Sequence, residues 1–388
     1  MIGGGIIGLS AAWRLAARGH SVTLLERGRV GEGTSRVAAG MLAPVAEVEF
    51  GPGGRRVLEL GLRSARLWPQ FAAELERAAG MPVDLLRTGT LVVARDDDEA
   101  AALERQLAFR EELGLRVRRL RPSAAREREP ALAPTIRLAL EAPDDHAVDP
   151  RLVLAALARA CTSAGVELRE HAAVARVEPG GRAGAVTLGD GARLQAREIV
   201  LAAGAWSAGI AGLPEGCAVP VRPVRGQILR LRDPDGPGLL HRVVRFEGGY
   251  LVPRADGRYV LGATVEERGF ARLPTAGGIY ELLRDARELV PGVMELEIEE
   301  LSVGFRPGTP DNAPLIGRAP AAPSLTWATG HHRNGILLAP LTAELVQGVL
   351  AGASAREEPA LAACDPSRFA PARGDGPSPA IPMGAAAR

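Results

Sequence analysis

Six residues near the start of the chain constrain its fold more than any others: Gly3-Gly-Gly5-Ile-Ile-Gly8. They fit G-x-G-x-x-G, in which the first glycine makes a tight turn, the second lets backbone approach a pyrophosphate, and the third lets a helix pack on a strand. An apolar helix pattern follows, and its N-terminal amides and dipole suit phosphate. Ser21-Val-Thr-Leu-Leu-Glu26 then reads as a short strand ending in an acid. That acid lies 23 residues after Gly3, close to the spacing at which a carboxylate takes ribose hydroxyls. Glycine turn, helix and strand predict a nucleotide-binding βαβ unit at the head of an α/β protein. A strand of roughly five residues should precede the turn. Only Met1 and Ile2 stand there, so either the start is misassigned or the central strand is truncated.

The rest of the chain reads as α/β texture interrupted by a run of hairpins. Helical spacing covers Leu58 to Ala79, with Pro69 inside it, and Asp96-Asp-Asp98 offers N-caps for a helix to about Leu113. Asp149-Pro150 is a cap followed by Pro at the first helical position. Glu198 to Gly204 is an apolar run of the kind buried inside a parallel sheet. From Val224 to Ala263 short strands alternate with turns, including the hairpin signal Asp256-Gly257. Leu325 to Ala328, Gly330 and an apolar helix from about Ile336 to Leu350 return to α/β. The nucleotide-binding part is therefore expected to be discontinuous, with two inserted segments building a second domain.

Composition excludes several functions. A net charge of +1 over 388 residues gives no basic field to hold nucleic acid or an anionic membrane. All 47 cationic side chains are Arg, so chemistry that needs a Schiff-base lysine is excluded. Cys161, Cys217 and Cys364 are widely spaced and match no metal-ligand pattern, so no metal is expected; free thiols point to a reducing, cytoplasmic setting. The best apolar run, Ile199 to Leu213, is too short for a membrane span. The N-terminus lacks the basic and cleavage regions of a signal peptide. From Asp365 the chain is rich in Pro, Ala, Gly and Arg, and is expected to be disordered.

Two further segments carry chemistry. In Gly304-Phe-Arg306-Pro-Gly-Thr309, Pro turns hold an Arg rigidly just after a strand, and an Arg fork suits a carboxylate. In Gly330-His-His-Arg-Asn-Gly335-Ile336, a glycine-containing loop leads into a helix. Alone, the first reads as a salt-bridge Arg and the second as an ordinary loop.

Together these motifs resemble the D-amino-acid-oxidase-type family of FAD-dependent oxidoreductases, and within it the glycine-oxidising branch, over about Met1 to Leu350. The remaining residues that carry the resemblance are Thr34-Ser-Arg-Val-Ala-Ala-Gly-Met-Leu42, Val200-Leu-Ala-Ala-Gly-Ala-Trp-Ser207, Pro223-Val-Arg-Gly-Gln227, Tyr250-Leu-Val-Pro-Arg254 and Gly262-Ala-Thr264. The resemblance implies a Rossmann-like, discontinuous FAD-binding domain (1–84, 146–216 and 306–364) with an inserted α+β substrate domain on an antiparallel sheet (85–145 and 217–305). It implies non-covalent FAD, since no cysteine matches the covalent position, and oxidation of a small amino acid or amine to the imine. It implies, further, that oxygen is reduced to hydrogen peroxide and that the product supplies thiamine thiazole synthesis.

Residue by residue, the resemblance places Gly3, Gly5, Gly8 and Glu26 on the ADP half, with Val174 beside the adenine and Ile6, Ile7 and Arg27 among the cofactor-binding residues. Thr34, Ser35, Ala39, Gly40, Met41, Ala203, Gly204 and Trp206 line the cofactor. Gly330, His332, Arg333, Asn334, Gly335 and Ile336 wrap the flavin edge. Arg306 binds the substrate carboxylate, Tyr250 stands beside the substrate, and Arg333 is a second polar contact. The lysine used by sarcosine-oxidase-like relatives cannot exist here. Phe246 to Gly249 differ in residue type from the glycine-oxidising branch, which leaves the amine open between glycine and a D-amino acid, proline or sarcosine-like substrate. A non-catalytic flavoprotein subunit and an NAD-dependent dehydrogenase are the readings from other classes. Oligomeric state is open, a homo-oligomer being compatible.

Overall fold

A computed structural model describes residues 1–369. Its first layer is a parallel sheet around the glycine turn. Thr23–Leu25 pairs in parallel with Glu167–Arg169, and Ile199–Leu201 with Ala322–Thr329. Leu315–Ala319 adds an antiparallel edge. Ile2 bridges the two halves, pairing in parallel with both Leu25 and Leu201. The centre of the sheet is thus held by Met1 to Gly3: Ile2 donates to Val200 O at 2.8 Å and accepts from Ala202 N at 2.8 Å, and Gly3 N donates to Leu25 O at 2.8 Å.

Three helices cover one face. Ile6–Ala16, Pro150–Ser163 and Ala339–Leu350 share a core with the long helix Pro52–Ala79, through Leu9, Trp13, Trp68, Phe71, Leu157 and Leu345 among others. The expected caps operate: Asp96 accepts from Glu99 N, and Asp149 from Arg151 N. Pro69 lies inside its helix without ending it. The last helix begins at Ala339, later than the sequence suggests, because 331–338 forms turns first.

The second layer is an eight-stranded sheet. In spatial order its strands are Glu297–Gly308, Arg222–Arg232, Arg258–Gly262, Gly249–Pro253, Val243–Phe246, Thr90–Ala94, Leu138–Ala142 and Arg118–Leu120. It departs from the expected antiparallel sheet at one pair: Val243–Phe246 runs parallel to Thr90–Ala94. A parallel pair needs a long crossover, and here the chain passes through the first layer between them. Arg306 also departs from expectation. It lies within the edge strand Glu297–Gly308 rather than after it, so the domain boundary placed at 305/306 falls inside a strand. Pro366–Phe369 forms a short 3₁₀ turn, with Arg368 paired to Asp311 at 2.9 Å. Order therefore persists past Asp365 to Phe369; the remainder of that tail lies outside the described residues. Among the described residues no helix is long and apolar enough to cross a membrane.

Candidate active site

Between the two sheets lies one cavity of about 730 Å³, within the range of cofactor and ligand sites. Its first wall is mostly backbone. Gly3 has φ +106°, and a Cβ there would sit 2.5 Å from Ala202 O. A Cβ on Gly8 would strike Gly3 O, so Gly8 serves packing and stands behind the cavity. Gly5, by contrast, lines it. Helix Ile6–Ala16 begins at Gly5, which supplies no side-chain cap, and has no acid in its first turn; Ile6 N donates to Ser35 Oγ at 3.1 Å, and the positive end of the helix suits an anion. Glu26 is fixed by Gly4 N at 2.8 Å and Gly28 N at 3.0 Å. A carboxylate holds more acceptor sites than two bonds use. Arg27 stacks on Trp206, 3.7 Å from its ring centroid, and Val174, Ala203 and Gly204 complete this end. The glycine turn, open helix end and acid fit a dinucleotide.

The opposite wall is the face of the large sheet, and it is built from side chains. The cross-strand register sets Gly226 opposite Gly304, and Val224 opposite Arg306. A second row runs Ile228, Gly262, Tyr250, Arg245 across four strands. Arg306 leans over Gly226, where a Cβ would meet its Nη1 at 2.5 Å; Tyr250 leans over Gly262, where a Cβ would meet its Oη at 2.8 Å. The two residues thus approach each other from opposite sides over two glycines. Arg306 Nη1 donates to Thr264 O at 3.0 Å and Arg225 O at 3.3 Å. Among the described residues no carboxylate lies within 4.0 Å of the Arg306 guanidinium; all the salt bridges run elsewhere. Burial raises the Tyr250 phenol, while the charge of Arg306 pulls the other way.

The third side is the loop carrying Glu47 and Glu49. Buried Asp145 accepts from Val45 N at 3.1 Å and Ala46 N at 2.6 Å, and burial pushes it up to about 7. Arg110 holds the carbonyls of Val45 and Ala46. Glu47 faces Arg245 at 3.5 Å. Arg333 lines the cavity, but its guanidinium is engaged by Glu49 at 2.7 Å and the Glu47 carbonyl at 3.0 Å.

Of the residues expected at the site, Gly3, Gly5, Ile6, Ile7, Glu26, Arg27, Thr34, Ser35, Ala39, Gly40, Met41, Val174, Ala203, Gly204, Trp206, Tyr250, Arg306, His332, Arg333, Gly335 and Ile336 line the cavity. Gly8, Gly330 and Asn334 do not. Gly330 has φ +77°, and a Cβ there would meet Thr309 at 2.7 Å. Asn334 faces a small recess beside Pro44 and Leu337. Sequence reasoning gave no role to Gly226, Gly262, Glu47 or Arg245, although Gly226 and Gly262 lie in motifs it quoted. His331 bonds Thr342 Oγ1 at 2.9 Å. Burial drives both His331 and His332 down to about 3, with nearby Arg charges adding to the effect on His332.

A glycine-turn parallel sheet facing a side-chain-lined sheet across a cofactor-sized cavity defines a two-part nucleotide-dependent enzyme. The chain belongs to the FAD dependent oxidoreductase (DAO) family, whose sequence model matches residues 1–347. It is 37% identical over 347 residues to glycine oxidase of Geobacillus kaustophilus, covering 89% of this chain and 90% of that one. The crystal structure of glycine oxidase from that organism superposes with a TM-score of 0.88 at 34% identity, over 95% of this chain and 97% of that one. Iminodiacetate oxidase from Chelativorans sp. superposes with a TM-score of 0.84 at 31% identity, over 94% and 98%. The bifunctional protein ThiO/ThiG of Synechocystis sp. is 36% identical, over 95% of this chain and 53% of that protein.

Proposed function

We propose that the protein oxidises glycine, or a similarly small amino acid, to the imine with oxygen as acceptor and hydrogen peroxide as by-product. We further propose that this imine supplies thiamine thiazole synthesis. The observation that carries the reading is Arg306: a guanidinium in the cavity wall, seated on two carbonyls and with no carboxylate of its own. A planar fork left in this state suits the two oxygens of a substrate carboxylate. The glycine oxidase relative supports the substrate class.

Gly3, Gly5 and the first turn of helix Ile6–Ala16 would hold the FAD pyrophosphate, Glu26 the ribose hydroxyls, and Val174 the adenine edge. Thr34, Ser35, Ala39, Gly40, Met41, Gly335 and Ile336 would line the ring, without a covalent link. FAD, when bound, supplies the two-electron acceptor that no side chain provides. Arg306 fixes the substrate carboxylate, and Tyr250, kept protonated by burial, closes the other side. His331 points at Thr342 and His332 is a neutral imidazole at pH 7, so neither acts as a charged acid. Arg333 lines the cavity, shapes the Glu47–Glu49 loop and would offer the substrate a second polar contact.

Gly248 and Gly249 line the same end of the cavity. That favours a second reading in which the amine carries a substituent, as the iminodiacetate oxidase relative's name suggests for that protein. Peroxide release from glycine, sarcosine, D-alanine and iminodiacetate by FAD-loaded protein separates the two. Glycine should be turned over, and absence of peroxide from all four overturns the proposal. Acid precipitation should leave the yellow colour in solution.

A further inference from the structure

Beneath Arg306, on the reverse face of the large sheet, lies a closed polar network. The regular pairing of Arg222–Arg232 with Arg258–Gly262 stops at Ile228 and Gly262. The two segments then stay together through an isolated antiparallel bridge, Arg225 to Glu266. Between them Gln227 N donates to Thr264 Oγ1 at 2.9 Å. Glu266 Oε1 accepts from Thr264 Oγ1 at 2.6 Å and from Gln227 Nε2 at 2.7 Å. Glu266 Oε2 pairs with Arg225 Nη1. Arg225, 1% exposed, spends its remaining donors on the carbonyls of Ala271 and Leu273.

Both carbonyls that seat Arg306 Nη1 belong to this network: those of Thr264 and Arg225. We infer that Glu266 is a positioning residue for the substrate carboxylate, welding together the two backbone segments whose carbonyls aim Arg306 into the cavity. The inference rests on the reading of Arg306 as the carboxylate anchor. Three features favour this role over simple stability. A buried ion pair is weak ground for stability compared with apolar packing, but it fixes geometry. Glu266 receives two bonds from the Arg222–Arg232 strand, from Gln227 and Arg225, and one from the hydroxyl of Thr264, whose carbonyl holds Arg306. Burial would raise its carboxyl, yet the bonds from Gln227 and Thr264 and the Arg225 charge hold it below the usual carboxylate range. The weld is therefore ionised at neutral pH. A fork displaced by about 1 Å loses much of its value for orientation.

The test uses FAD-loaded protein and acetate, a carboxylate without an amine, read by the change in bound-flavin absorbance. Glu266→Gln keeps the shape and removes the charge. It should raise the acetate Kd and the glycine KM about tenfold, the scale of a lost hydrogen bond to a charged group. The kcat and FAD affinity should stay within twofold. Arg306→Lys should raise the acetate Kd by itself, and Glu266→Gln added to it should raise it no further, since the two act as one unit. Thr264→Val, which leaves the Arg225–Glu266 pair intact, should raise the acetate Kd about threefold by loosening the same carbonyl. It carries the test if Glu266→Gln does not fold. An unchanged acetate Kd in both Glu266→Gln and Thr264→Val overturns the inference, as does the same multiplicative effect of Glu266→Gln with and without Arg306→Lys. If Arg306→Lys leaves acetate binding unchanged, the anchor reading itself fails and this inference with it.

Discussion

The two walls of the cavity are made of different material. The wall proposed to face the cofactor is built around glycine backbone, the start of a helix and one carboxylate, its centre drawn from residues 3 to 28. The wall proposed to face the substrate consists of long side chains from separate strands, laid over glycines that give them room. A backbone wall offers a fixed array of N–H donors and suits an invariant ligand part such as a pyrophosphate. A side-chain wall is set by residue choice on a rigid sheet, and suits the part of the reaction where specificity lies.

If the division is real, damage on one side should spare the other. Arg306→Ala should cost about 2–5 kcal/mol in kcat/KM for glycine, by analogy with truncating one member of a buried charge pair, and leave FAD absorbance nearly intact. Steady-state kinetics against flavin titration checks this; Arg306→Lys should retain part of the activity, keeping the charge without the fork. Glu26→Ala should show the reverse pattern. FAD affinity should fall by about 1.5–3 kcal/mol, roughly ten- to a hundredfold, with kcat at saturating FAD little changed. Unchanged FAD affinity in equilibrium dialysis would move the ribose contact elsewhere.

Gly226→Ala sharpens the comparison, since it adds a single methyl group beneath Arg306. A methyl 2.5 Å from the guanidinium should displace it and cost about 1–3 kcal/mol in kcat/KM as overpacking. Thermal stability should fall less than activity, because a side chain rather than backbone has to move.

The smallest effect is one of pH. His331 titrates near 3 when folded, against an ordinary value of 6.5. Between these values the unfolded chain binds more protons, so stability is complete above about 6.5 and falls as pH drops toward 3. At pH 5.5 the loss from His331 should be about 1 kcal/mol, seen as a lower Tm than at pH 7. His331→Asn should narrow that difference in Tm, whatever it does to the absolute value.

The same contrast explains what could be read from the sequence. The glycine wall was legible because turn, helix, strand and acid follow one another within 24 residues, each with a local signature, and Gly3, Gly5 and Glu26 all line the cavity. The caps Asp96 and Asp149 were legible for the same reason. Arg306 and Tyr250 came from motif resemblance, but how they meet did not. Arg306 reaches Arg225 across 81 positions of chain and Thr264 across 42. Only the strand register places Gly226 and Gly262 beneath the two side chains. Register depends on pairing partners that no local pattern names. The parallel pair between Thr90–Ala94 and Val243–Phe246 was hidden for the same reason, since its partners lie on either side of the nucleotide-binding segment. Gly330 and Asn334 stand off the cavity for local reasons no motif shows: the Gly330 loop packs against Thr309, and Asn334 faces the small recess beside Pro44.

The glycine-floored sheet face has a consequence for how such an enzyme diversifies. Residues on that face come at every second position of four strands, and each can be exchanged without altering a backbone bond or the phosphate turn across the cavity. Mutation can therefore explore new amines one side chain at a time, while the redox half of the molecule is inherited unchanged. A lineage built this way would retain one oxidising machine and vary its appetite. The cost falls on Gly226 and Gly262, where any larger residue closes the floor and ends the exploration.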